Sequence, residues 1–139
     1  MILSRKFLKF EIDIDFVLIA VTTSLKDYRI CHLINKYLNL NFIKISEFSV
    51  DIIHGTTHVL FSRYQYIHED NNYYFIANKG TEGYLIPEMR KADYFFIVKN
   101  FITENEAEDL VSALNRIPEI IAAVKIDPKK IKSRENLLF

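Results

Sequence analysis

The chain has 139 residues, half of them apolar, and 18 Lys and Arg balance 18 Asp and Glu. That length fits one domain around one core, in which folding buries about 70% of the unfolded surface. Zero net charge argues against a domain with a strong general affinity for nucleic acid. The lone cysteine, Cys31, excludes an intramolecular disulfide and a cysteine-based zinc site.

In chain order, the first expected element is a buried strand over 16–22 (FVLIAVT), with a start as early as Phe10. The positive charge and apolar run of the first residues resemble a secretory leader, but Glu11, Asp13 and Asp15 interrupt them. Ser24 and Asp27 give the spacing of a capping box, which predicts a helix from Leu25. Ile30, Leu33, Ile34, Tyr37 and Leu38 lie on its apolar face, and Asn39 stops it. Residues 42–48 partly alternate and predict a strand. The β-rich runs 58–68 and 73–79 flank the polar turn 69–72 and predict a hairpin. A glycine-containing loop over 80–92 leads to a second continuous apolar strand, 94–99. Thr103 and Glu106 form another capping box, which opens a helix over 104–116. Acids in its first turns and Arg116 at its end suit the helix dipole. A last strand, 120–126, ends at Asp127-Pro128, and a tail over 127–139 follows.

This order, β-α-β, hairpin, β-α-β, predicts a single α+β domain over 1–139. The expected fold is a ferredoxin-like split β-α-β sandwich with an inserted β-hairpin (about 57–79) and a C-terminal tail. In that plan 16–22 and 94–99 are the central strands, while 42–48 and 120–126, which carry lysines, are the edges. Helices cover one face only. The two central runs do not alternate, so something apolar must cover the other face: the hairpin, the tail, a second copy or a ligand. The tripeptide Ile-Pro-Glu occurs twice, at Ile86-Pro87-Glu88 and Ile117-Pro118-Glu119. Each precedes a strand, and Pro118 ends the helix before it by removing a donor and restricting Ile117. The flanking residues differ, so the two are read as similar joints with solvated glutamates and not as a duplication.

Candidate chemistry is sparse. His54 and His58 have i, i+4 spacing, but Gly55, Thr56 and Thr57 between them disfavour a helix, and no metal is expected. Cys31 and His32 are adjacent, so on a helix they diverge; Cys31 reads as a core residue. The three glycines form no phosphate loop, and no catalytic residue or cofactor is assigned. Tyr64, Tyr66, Tyr73 and Tyr74 cluster on the hairpin, with Arg63 and Lys79 nearby. They are a candidate interaction surface together with Leu137, Leu138 and Phe139, apolar residues expected to dock on the chain's own sheet or on a partner.

The stretches SLKDYRICHLINKYLNLN, LIPEMRKADYFFIVKN, NRIPEIIAAVKIDP and KSRENLLF together resemble the IPExxVD family of small bacterial proteins. The match spans both β-α-β units and the tail. Three residues separate Glu88 from Ala92-Asp93, and alanine replaces the signature valine. The resemblance implies a bacterial cytoplasmic protein and carries over no catalytic residue. Separately, the non-alternating central strands and the missing catalytic motifs lead to the expectation of a cytoplasmic, non-enzymatic interaction or regulatory module, homodimeric through its sheet, with a small-molecule or protein partner and no membrane span. The alternative is an RNA- or ribosome-associated protein that uses the tyrosine-rich hairpin and the basic tail residues Lys129, Lys130, Lys132 and Arg134.

Overall fold

The computed structural model describes residues 16–53, 57–100, 102–137 and 139. The expected strand start at Phe10 and the side chains of His54 and Leu138 lie outside the described residues. Strands β1 (Phe16–Thr23), β2 (Ile43–Ile53), β3 (Thr57–His68), β4 (Asn71–Ala77), β5 (Tyr94–Lys99) and β6 (Ile120–Ile126) form one antiparallel sheet in the order β2-β3-β4-β5-β1-β6. Helix α1 (Asp27–Leu38) joins β1 to β2, and helix α2 (Glu104–Asn115) joins β5 to β6. The hairpin β3–β4 extends the sheet between β5 and β2.

The helices pack on one face. Ile30 and Ile34 of α1 and Ala107 and Leu114 of α2 are fully or almost fully buried. Ile30, Ile34 and Leu114 cluster with Ile19, Val21, Phe75, Phe96 and Val98 from the sheet. The residues between these on β1 and β5, Leu18, Ala20, Phe95 and Ile97, point to the opposite face and form a second core. Two buried faces explain why the central strands are apolar without alternation.

That second face is covered by the chain itself. The loop after β4 contributes Leu85, Ile86 and Ala92, and the tail contributes Ile131 and Leu137. Asn78 organises the loop. Its buried side chain donates to the carbonyls of Met89 (2.9 Å) and Ala92 (2.8 Å) and accepts from the Ile86 N–H (2.8 Å). Gly80 brings the loop onto β3: a Cβ there would sit 2.7 Å from the Leu60 carbonyl oxygen, too close to accommodate. The Thr81 N–H then bonds that same carbonyl at 3.2 Å.

Several local features differ from the sequence expectation. Ser24 does not cap α1. The N-cap is Lys26 without a side-chain bond, and Asp27 is the first helical residue. Its carboxylate is drawn to hydroxyls on β3, so it is not available to Ser24. The Thr103–Glu106 capping box on α2 is formed in both directions, and Asn39 ends α1 in the left-handed region at φ 55°. The β3–β4 turn is shorter than expected, because Asn71 and Asn72 pair with His68 and Ile67, and Glu69 takes φ 55°. β2 runs on to Ile53 beside the long β3, with register shifts after Ile45.

The two β-α-β units share a device that the sequence comparison of the Ile-Pro-Glu repeats does not reveal. Near the end of α1, the Asn35 amide donates to the Phe42 carbonyl (3.1 Å) and accepts from the Phe42 N–H (2.8 Å). At the end of α2, the Asn115 amide does the same to Ala123, at 2.9 Å in both directions. Each asparagine thus satisfies two backbone groups at the outer border of the sheet, as a neighbouring strand would.

Asn78→Ala would leave the buried Ile86 N–H and Ala92 carbonyl without the partner they have, while the Met89 carbonyl keeps the Ala92 N–H. The expected loss is about 3 kcal/mol or more, at about 1–3 kcal/mol per unsatisfied buried group, measured by urea denaturation against the wild type.

Candidate functional site

The four tyrosines do not form one surface. Tyr64, Tyr66 and Tyr73 lie on the helix-covered face, and Tyr74 lies on the other. Tyr64 is buried. Tyr66 stands 5.5 Å from Tyr73 and 6.2 Å from Phe42 between ring centroids, and Tyr73 meets Phe96 edge-on at 6.2 Å. These rings pack the margin of the first core. Tyr74 meets Phe139 edge-on at 5.0 Å, so the structure brings one hairpin tyrosine together with the tail.

The tail is held at three points. The exposed Glu88 of the first Ile-Pro-Glu accepts from the Ser133 N–H (2.8 Å) and hydroxyl (2.9 Å). Burial alone would raise its pKa, but these bonds outweigh it and hold the carboxyl below its ordinary value. Glu88 is therefore a tail anchor, and not only the solvated side chain expected from sequence. Asn136 donates to the Leu85 carbonyl at 2.8 Å, and Leu137 is fully buried. Lys99, at the end of β5, donates to the carbonyls of Leu137 and Phe139. The Phe139 ring lies between two cations, with Lys99 Nζ 4.5 Å and the Arg63 guanidinium 5.3 Å from its centroid. Burial, reinforced by Arg63, pushes Lys99 down to about 8. Of the docking residues expected from sequence, Leu137 and Phe139 therefore dock on the chain's own sheet.

A second cluster of shifted groups ties α1 to β3. Asp27 accepts from the Ser62 hydroxyl and from the Tyr64 hydroxyl (3.2 Å), with Lys44 Nζ at 3.9 Å. Burial opposes ionisation of Asp27, but these bonds and a backbone N–H prevail and lower its pKa. Burial and the Asp27 charge raise Tyr64 and Tyr94, and push the Cys31 thiol up to about 12. Cys31 is buried, as its helical position predicts, and burial together with the Asp27 charge disfavours its thiolate. This cluster has an acid, hydroxyls and an ammonium, but all face one another across an element joint.

A concave feature lies on the outer side of α1. Tyr28, Arg29, His32 and Leu33 line a cleft of about 230 Å³ with Glu119, the acid of the second Ile-Pro-Glu. The Thr23 hydroxyl donates to the Glu119 carbonyl at 2.8 Å and fixes this joint against the end of β1. The sequence signal for the cleft is the i, i+4 pairs Tyr28/His32 and Arg29/Leu33; the approach of Glu119 depends on tertiary packing. His58 is exposed on β3. Among the described residues, no group of three His, Cys, Asp or Glu is placed to hold a metal ion, and no helix is long and apolar enough to cross a membrane. No family model, curated protein or solved structure matches the chain.

The lowered pKa of Lys99 has a defined consequence for stability. Between pH 8 and the ordinary lysine value of 10.5, the folded chain binds fewer protons at this site than the unfolded chain, so folding stability rises with pH. The raised Cys31 thiol acts in the opposite sense as pH approaches and passes its ordinary value of 9.0, and the raised tyrosines do so around and above pH 10. Urea midpoints measured from about pH 7.5 to 9.5 are expected to rise for the wild type, where Lys99 outweighs Cys31, and to fall for Lys99→Met, where the Cys31 effect is left alone.

Proposed function

We propose that the chain is a non-enzymatic interaction module on a ferredoxin-like split β-α-β plan, and that it works as a homodimer. The strand order supports the fold reading. Without the β3–β4 hairpin the order is β2-β5-β1-β6, with each first strand central and each second strand at an edge. The resemblance to the IPExxVD family rests on the sequence stretches; in the fold two of them meet, since Glu88 of the first Ile-Pro-Glu holds Ser133 of the KSRENLLF ending. A cytoplasmic setting accords with the single buried thiol of Cys31.

The observation that carries the dimer is the bare margin at β6. The second sheet face, where the sequence placed the dimer contact, is covered by the loop and the tail; at β6, Ile121 is 74% exposed and Val124 52% exposed. Ala122 and Val124 pair in register with Thr22 and Ala20 of β1, so the half-exposed Thr22 and Ala122 lie near Ile121 and Val124 at this margin. Strand-to-strand addition is disfavoured there, because Asn115 already occupies both backbone groups of Ala123. The contact is therefore side chain against side chain, related by a two-fold axis. Support for a non-catalytic role comes from Asp27, Tyr64 and Lys99, whose polar atoms are committed to internal bonds.

Sedimentation equilibrium is expected to show a dimer for the wild type. Ile121→Lys is expected to weaken it about 100-fold, since two symmetry-related isoleucines are lost at about 1.5 kcal/mol each. A wild-type chain that remains monomeric at high concentration contradicts the reading.

A further inference from the structure

We propose that the cleft on the outer side of α1 binds a small zwitterion of amino-acid size, with its carboxylate on Arg29 and its ammonium on Glu119. This goes beyond the dimer reading and does not depend on it. Arg29 and Glu119 line the same cleft, but neither side chain takes part in an ion pair or a hydrogen bond among the described residues. Opposite charges that share a cleft without closing on each other leave a gap that a molecule carrying both charges can span. A simple anion would face Glu119 and a simple cation would face Arg29, so each would meet one repulsive group; this discriminates against both. The guanidinium matches a carboxylate in two-pronged geometry. Leu33 and the Tyr28 ring provide an apolar wall, and the His32 imidazole adds a further polar group. The volume of about 230 Å³ suits a molecule smaller than a nucleotide, and Glu119 opposes phosphate.

The two walls are held before any ligand arrives. Arg29 stands in the first turns of α1, whose inner side is locked by the buried Ile30 and Ile34. Glu119 follows Pro118, and its backbone is fixed by Thr23. Binding then requires ordering of the exposed Arg29 and Glu119 side chains but not of the backbone that carries them.

The test is an NMR titration of the full chain with the free amino acids at millimolar concentration, alongside isovalerate and isoamylamine, which each carry one of the two charges of leucine. At least one amino acid is expected to shift the backbone amides of residues 28–33 and 119–121 saturably, and both one-charge analogues are expected to bind about tenfold more weakly or not at all. Arg29→Gln and Glu119→Gln, both surface changes, should each weaken that amino acid about tenfold while spectra elsewhere stay unchanged. The proposal is overturned if no amino acid gives saturable shifts, if the shifts map away from the cleft, if a one-charge analogue binds equally well, or if either variant binds as the wild type does.

Discussion

The carboxamide of Asn78 is the contact on which the second half of the architecture depends. Three bonds from one buried side chain fold the loop after β4 back over the sheet. Only then do Leu85 and Ile86 face the second core, and only then does Glu88 stand where it can receive Ser133. The tail follows from the loop, and the sealing of the second face follows from the tail. A side chain that supplies every polar partner itself can occupy an apolar layer without leaving donors or acceptors bare; among the described residues, no buried side-chain polar atom lacks a partner. Lys99 sits less comfortably. Its ammonium is retained by two tail carbonyls and three aromatic rings, and its lowered pKa records the cost of burial.

Because the sheet is covered on both faces, the surfaces left for function are marginal ones. At the β6 edge, Asn115 occupies the backbone groups of Ala123, and Ile121 and Val124 are exposed. On the outer side of α1, a cleft keeps opposite charges apart. The two meet through one short stretch, since Glu119 borders the cleft and Ile121 lies two residues further on. The second Ile-Pro-Glu joint thus connects the helix end, the cleft and the edge. The first connects the loop and the tail. The repeated tripeptide serves two architectural roles that share only the buried isoleucine and the proline that redirects the chain.

The main elements were legible because their signals are local. Continuous apolar runs marked β1 and β5, helical spacing and the Thr103–Glu106 box marked α2, and Asn39 marked the end of α1. The need for a cover over the second face was also legible, from the lack of alternation in two strands. What supplied it was less so, since Glu88–Ser133 and Asn78–Ile86 join residues whose sequence neighbours give no hint of the pairing. Ser24 misled because Asp27 found better partners on β3, a tertiary contact that outweighs a local motif. The tyrosines read as one cluster because they are close in sequence. Strand alternation sends Tyr73 and Tyr74 to opposite faces, and the helices cover the side with three of the four.

The central claim is that the chain seals its own second face with its own tail. Isotope-filtered NOE spectroscopy on an equimolar mixture of labelled and unlabelled full chains tests it most directly. The Leu137 methyls are expected to show NOEs to the cluster of Leu18, Phe95 and Ile97 within one chain only. Intermolecular NOEs from Leu137, or none to that cluster, would contradict it and would place the tail on another copy or in solvent.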